Sequence, residues 1–202
     1  MSLQILAEAA AHLNRAAGLK KPLPPLLFFT DPQRTPDPAA VAQRLPAGSA
    51  VVLRLFGAAN ALDQAKKMRT LTSELSLTLL IGADADLAAA VNADGVHLPE
   101  RLTDQAASLR RQHSGWLITA AAHSPEALEL AAQAGADAAV VSPVFPSQSP
   151  SAGAPLGAER FAAMVQAAQI PIYALGGVTA DTVGDLKDSG AAGLAAVGAL
   201  RN

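Results

Sequence analysis

The sequence predicts a single (β/α)8 TIM barrel carrying one extra helix at its N-terminus. Three observations predict it. Short apolar runs alternate with helical patterns eight times along 202 residues, a length that suits one domain. Several runs, such as Ala138-Ala-Val-Val-Ser, are apolar almost throughout, as strands covered on both faces must be. Three helical segments end alike, on Asn92-Ala-Asp-Gly, Gly135-Ala-Asp-Ala and Gly190-Ala-Ala-Gly, each directly before a strand. Asn or Gly there supplies the left-handed residue that closes a helix. A repeated βα unit implies right-handed crossovers and a parallel sheet, and eight strands argue for closure into a barrel.

The elements follow in order. Leu3, Leu6, Ala10, Leu13 and Ala17 recur at three- and four-residue spacing, the mark of an amphipathic helix. Glu8, His12 and Arg15 run through that segment and the lysines follow it, so it does not read as a signal peptide. A Pro-rich stretch, Lys21–Pro25, comes next, which divides the chain into a helix and linker over 1–24 and a barrel over 25–202. Strands are expected at 26–31, 50–56, 77–83, 94–98, 117–123, 138–145, 172–177 and 193–200. Asp37-Pro38 and Ser124-Pro125 each place a capping residue before a proline in the first helical turn, and Thr103 and Thr179 are expected to cap two more helices. Little sequence follows the eighth strand, so the N-terminal helix is expected to cover that side of the barrel.

Composition excludes several classes of function. Half the residues are apolar and 3 % are aromatic, ample for a core of small, tightly packed side chains. A formal charge of −2 offers no broad cationic face for nucleic acid. With no cysteine there is no disulfide, thiolate metal site or cysteine nucleophile. No apolar run reaches membrane-spanning length. A cytoplasmic protein without a membrane or nucleic-acid partner is expected.

In such barrels the working residues stand at the C-terminal ends of the strands. Ala174-Leu-Gly-Gly-Val-Thr and Ala196-Val-Gly-Ala close the last two strands. Gly176, Gly177 and Gly198 would let backbone N–H groups approach a phosphate, and a helix start after the seventh strand would add its dipole; alternatively the glycines only make a tight turn. His123 closes the fifth strand and precedes the Ser124 cap, which suits either acid–base work or a loop-holding histidine. His97 lies within a strand and reads as an interior residue, whereas His12 and His113 fall in polar surface contexts. Arg54 interrupts Val51-Val-Leu-Arg-Leu-Phe, and a charge there needs a ligand anion or an ion pair, with Asp31 or Asp86 as partners. Asp86 suits the first turn of a helix. The small, polar loop Pro146-Ser-Gln-Ser-Pro-Ser-Ala-Gly-Ala-Pro suits a lid, on which Ser147 and Ser149 would reach phosphate oxygens or merely solvate the loop.

Asp84-Ala-Asp-Leu-Ala, Ala93-Asp-Gly-Val-His-Leu, Ala121-Ala-His-Ser, Gly135-Ala-Asp, Ser142-Pro-Val-Phe-Pro-Ser and Ala174-Leu-Gly-Gly-Val, taken in order over about residues 26–200, resemble the thiamine-phosphate synthase and thiazole tautomerase superfamily. The resemblance implies a (β/α)8 barrel and a thiazole phosphate as ligand. It also implies, for a synthase, a pyrimidine diphosphate held with Mg2+ by an Asn-Asp pair after the third strand and an Asp after the fourth. Those places read Gly82-Ala83 and roughly Leu102 here; Phe56 and Pro150 stand for two lysines, and Ala121 for a serine. What survives of the pattern is Arg54, Ser147, Ser149, Gly176, Gly177 and Gly198, together with His123, which matches the acid–base histidine of the metal-free tautomerases. The resemblance thus implies a tautomerase-like isomerase of a small phosphorylated heterocycle, with no metal or other cofactor. Two alternatives stand beside it: a divergent synthase with Mg2+ on substitute ligands such as Asp84, Asp86 or Glu100, and a non-catalytic phosphate-ligand binder. A homo-oligomer is compatible with each.

Overall fold

The computed structural model describes residues 2–147 and 153–200. Its eight parallel strands are β1 (Leu26–Phe29), β2 (Ala50–Leu53), β3 (Thr78–Gly82), β4 (Gly95–Leu98), β5 (Leu117–Ala122), β6 (Ala138–Val141), β7 (Ile172–Ala174) and β8 (Gly193–Ala196). They pair in sequence order and close, β8 onto β1, into a barrel. Between them run α2 (Pro38–Ala42), α3 (Ala61–Glu74), α4 (Ala85–Ala90), α5 (Ala106–Gln112), α6 (Pro125–Gln133) and α7 (Ala158–Ala167), preceded by α1 (Ser2–Ala16).

Alternation along each strand divides the core in two. Leu27, Phe29, Ala50, Val52, Leu80, Ala138, Val140, Tyr173 and Ala195 fill the barrel, joined from below by Leu23. Leu26, Phe28, Val51, Leu79, Ile81 and Leu194 face outward and pack under the helices. Most paired strands are shorter than their apolar runs, because apolar character reports burial and not pairing. Thr30, Val144 and Phe145 are buried although they lie beyond the strand ends. The β6–β7 ladder continues past the strands, Val144 N–H donating to Leu175 O (2.9 Å) and Phe145 N–H to Gly176 O (2.9 Å).

The three similar helix endings work as expected. Asn92 (φ 51°), Gly135 (φ 82°) and Gly190 (φ 76°) are all left-handed. The residue two places on then ties the bottom of the barrel. Asp94 Oδ2 accepts the Leu79 N–H (2.7 Å) and Arg69 Nη1 (2.8 Å). Asp137 Oδ2 accepts the Ile118 N–H (2.9 Å) and, closely, Arg110 Nη2. In the third repeat this place is Ala192, and the tie comes from α1 instead: Asn14 Nδ2 donates to Ala192 O (2.8 Å) and Leu23 O (3.2 Å). Leu3, Leu6, Ala10 and Leu13 of α1 are buried, and the helix lies against β8 and β1. Only a short 3-10 helix, Gly198–Leu200, follows β8, so α1 covers the side of the barrel assigned to it.

Two caps behave as read and two do not. Asp37 accepts the Ala40 N–H (3.0 Å) and Ser124 the Ala127 N–H (3.2 Å). Thr103 instead lies inside a 3-10 helix, Glu100–Gln105, because the chain turns helical immediately after Pro99; its buried hydroxyl has no hydrogen-bond partner among the described residues. Thr179 precedes no α-helix. Its N–H donates to Thr182 Oγ1 (2.9 Å), the Thr182 hydroxyl donates to Gly177 O (2.9 Å), and a four-residue 3-10 helix, Val183–Leu186, follows. Threonine hydroxyls that bond nearby main chain compete with helix formation, and Gly184 adds a helix-weak residue.

Glycine is obligatory at one strand start. A Cβ on Gly95 would lie 1.9 Å from the Leu117 carbonyl oxygen, in the backbone of the adjacent strand, whereas a Cβ on Gly115 would enter open space. Gly95→Ala should therefore lower the unfolding free energy by about 3 kcal/mol or more, and Gly115→Ala should change it by less than about 0.5 kcal/mol. Urea denaturation of the two variants checks this; equal effects would show that β4 and β5 are not so closely apposed.

Candidate functional site

The C-terminal ends of the strands form the mouth of the barrel. His123 directly follows β5 and keeps its inward parity with Leu117, Thr119 and Ala121. It is exposed, and it is anchored twice. Its main-chain N–H donates to Glu100 Oε2 (2.8 Å), and its ring Nδ1 lies 2.6 Å from the Ser142 carbonyl oxygen, just past β6. A carbonyl only accepts, so Nδ1 carries the proton of that bond. In the neutral ring Nε2 is then the bare, basic nitrogen. Glu100 and Ser142 are the functional residues that sequence reasoning missed in this role. Glu100 was considered only as a metal ligand, and Ser142 acts through main chain, which leaves no trace in residue identity.

The glycines of the β7 end answer first to packing. Gly176 (φ 91°) and Gly177 (φ 65°) are left-handed. A Cβ on Gly176 would lie 2.8 Å from Pro143 Cα, and one on Gly177 would lie 2.4 Å from Pro146 O. The loop after β6 thus rests on this glycine pair. Among the described residues no hydrogen bond engages the Gly177 or Val178 amide, while a Cβ on Gly198 would meet nothing within 4 Å. The helix start expected after β7 is replaced by the 3-10 helix Val183–Leu186, too short to present a helix dipole. Ser147 is half-buried and follows Pro146 on the same face; Ser149 and Pro150 lie outside the described residues.

Arg54 has an internal anion. Its Nε donates to Thr30 O (2.7 Å), Nη2 lies 3.4 Å from Asp31 Oδ2, and its own N–H donates to Thr30 Oγ1 (2.9 Å). The guanidinium stands 5.5 Å from the Phe29 ring centre and 5.4 Å from that of Phe56. Of the two carboxylates considered for it, Asp31 is the partner; Asp86 sits in the first turn of α4. Beside the pair a cavity of about 230 Å³ opens between the loops after β1 and β2, lined by Thr30, Asp31, Thr35, Arg54 and Gln64 among others. His97 is buried, with Nδ1 3.0 Å from Thr119 Oγ1 and its ring edge-on to Phe29. His12 is exposed, and His113 is half-buried, stacked on Trp116 at 3.7 Å.

The residues at the ends of β3 and β4 do not fit a carboxylate cage for a divalent ion. Gly82 and Ala83 bring no side-chain oxygen, Asp84 Oδ1 is taken up by the Leu87 N–H (2.8 Å), and Glu100 Oε2 by His123. Among the described residues no three His, Asp or Glu side chains gather as a metal site, whereas a hard cation takes six or more oxygens, only some of them water. Nor, among those residues, is any helix long and apolar enough to cross a membrane.

Comparison with known proteins agrees with this architecture. The sequence profile described as thiamine monophosphate synthase matches residues 26–200. The thiamine-phosphate synthase of Chloroflexus aurantiacus is 36 % identical over 142 residues, covering 69 % of this chain and 64 % of the relative. That of Pyrococcus horikoshii is 32 % identical over 179 residues, covering 87 % and 86 %. Several curated relatives are matched over about two thirds of their own length. Among solved structures, thiamine phosphate pyrophosphorylase from Pyrococcus furiosus superposes with a TM-score of 0.73 at 26 % identity, covering 85 % of this chain and 84 % of the other.

Two buried groups tie stability to acid pH through separate windows. Burial, reinforced by the charge of Arg54, pushes the His97 pKa down from 6.5 to about 3. The unfolded chain therefore binds a proton that the folded chain refuses, and stability falls as pH drops from about 6.5 toward 3. Burial works to raise Asp31, but hydrogen bonds from the Arg34 side chain and main chain hold it at about 2 against an ordinary 3.8. Its contribution, about 1 kcal/mol after allowance for solvent screening, is present above pH 4 and lost between 4 and 2. Urea unfolding of the wild type should show both limbs, His97→Gln should flatten the upper one, and Asp31→Asn the lower. Constant wild-type stability from pH 7 to 4 would contradict the sequestered, neutral His97.

Proposed function

The chain belongs to the thiamine monophosphate synthase family, and from that premise we propose that it is a metal-independent isomerase of the tautomerase type, acting on a small thiazole phosphate by proton transfer. The observation that carries this reading is the geometry of His123, whose Nδ1–H is committed to Ser142 O while the ring stands exposed at the mouth. Nε2 takes a proton from one position of the heterocycle, the charged ring keeps its bond to Ser142 O, and the same nitrogen returns the proton at another position. One proton leaves and one comes back, no electrons are exchanged with an outside partner, and the imidazole is regenerated. A positioned group of this kind is worth about 10²–10⁴-fold in rate.

Phosphate recognition falls to the ends of β7 and β8. The Gly177 and Val178 amides and the open space at Gly198 support an anion approaching there, with Ser147 on the same face and Ser149 next along the loop. Arg54 supports this less directly, since Asp31 already balances its charge.

The relatives' names favour a second reading, in which the chain joins a pyrimidine diphosphate to a thiazole phosphate with Mg2+. Diphosphate departure needs its charge neutralised. Here Phe56 occupies one expected lysine position and Gly82-Ala83 the expected acidic pair, which is why the isomerase reading ranks first.

A direct assay separates the two. The purified protein, incubated in D2O and EDTA with a carboxylated thiazole phosphate, should interconvert the ring tautomers and exchange a ring proton, followed by NMR. His123→Gln should bind the phosphate ligand with unchanged Kd and lose about 10²–10⁴-fold in turnover. Isomerisation at the wild-type rate in a folded His123→Gln variant would sink the assignment, and Mg2+-dependent coupling of the two heterocycles would replace it with the synthase.

A further inference from the structure

His123 is held by both neighbouring strand ends at the point where each ladder runs out. β4 ends at Leu98, so no strand residue is left to receive the His123 N–H, and Glu100 Oε2 receives it instead at 2.8 Å. β6 ends at Val141, and the next carbonyl, that of Ser142, takes the ring Nδ1–H at 2.6 Å. The N–H in question is not an orphan of helix α6. The cap of that helix is Ser124, Pro125 has no N–H, and the Ser124 hydroxyl already accepts from Ala127. The Glu100 bond therefore serves the position of His123 and not the start of the helix.

We infer that Glu100 is a positioning residue for His123, fixing the main chain at the end of β5 so that the ring, tied at its far side to Ser142, aims Nε2 into the mouth. Two anchors, one on the main chain and one on the ring, leave the side chain little rotational freedom. A carboxylate makes a stronger acceptor for an N–H than a neutral group does, and a proton-transfer group displaced by about 1 Å can lose on the order of 10²-fold in rate. The inference rests on the proton-transfer reading of His123 for its kinetic consequence, but not for its geometry.

The test uses Glu100→Ala and Glu100→Gln in the full chain, with two readouts. Hydrogen exchange and ring 15N NMR report the anchors without any turnover. The wild type should show a protected His123 amide and a single Nδ1–H tautomer; Glu100→Ala should speed that amide's exchange by at least about 10-fold and mix the tautomers. Glu100→Gln keeps an accepting oxygen and should retain both signatures. In the isomerase assay Glu100→Ala should lose about 10- to 100-fold in kcat with little change in KM, and Glu100→Gln should recover most of it. Unchanged exchange and ring signals in Glu100→Ala would overturn the inference whatever the activity. Equal loss of kcat in Ala and Gln variants with intact NMR anchors would also overturn it, making the carboxylate itself a proton-transfer group. Anchors that loosen as expected in a protein without isomerase activity would uphold the positioning and remove the isomerase reading alone.

Discussion

Everything at the mouth depends on the seam where β8 closes against β1. A parallel sheet has no edge only if its last strand finds its first, and here the apposition is backbone on backbone. A side chain on Gly193 would place its Cβ 2.2 Å from Pro25 O, and Pro25 O accepts the Leu194 N–H at 3.0 Å. The neighbouring carbonyl, Pro24 O, receives the buried Tyr173 hydroxyl at 2.7 Å. The Pro-rich segment is thus part of the closure, and its missing N–H groups cost nothing because its carbonyls do the bonding. Once the ring is closed, inward parity is set for every strand, and His123, Arg54 and His97 are consequences of it.

The repeated helix endings show how the same register is held from below. Asp94 and Asp137 each bind the first N–H of the preceding strand and an arginine from the preceding helix. Partly buried carboxylates with both a main-chain donor and a cation are well satisfied. At the third repeat, next to the seam, an aspartate would have no arginine to meet, since only a 3-10 helix precedes it. Ala192 stands there, and Asn14 reaches across from α1. The N-terminal helix therefore takes over at the repeat where the pattern fails.

What the sequence made legible follows from the range of the interaction involved. The left-handed residues Asn92, Gly135 and Gly190 and the caps Asp37 and Ser124 depend on a few adjacent residues, and all were readable. Thr179 was misread because a hydroxyl two turns of chain away, on Thr182, captures its N–H before a helix can form. Arg54 was readable as a charge needing a partner, and its partner was among those considered. The anchors of His123 were not readable, because both depend on where β4 and β6 stop, and apolar runs do not mark where pairing ends. Glycine at 176 and 177 was read for its openness toward a ligand. The structure adds a contact from the opposite side, the loop of Pro143 and Pro146 lying on those residues.

The mouth is consequently divided by how its polar groups are spent. On the β1–β2 side the charge of Arg54 is taken up by Asp31 and by carbonyl Thr30, and its faces by Phe29 and by the exposed Phe56. A ligand anion there would have to compete with a carboxylate that lies only 16 % exposed and is held ionised by Arg34 as well. On the β5–β8 side the bonds to His123 use its main chain and Nδ1 but leave the other ring nitrogen, and the Gly177 and Val178 amides have no internal acceptor among the described residues. Unspent donors and a bare basic nitrogen on one side, with a compensated cation on the other, orient a phosphorylated heterocycle with its phosphate toward β7 and β8 and its ring toward β5. That orientation places the reacting atoms next to the residue best held to move a proton and away from the pair whose charges already cancel.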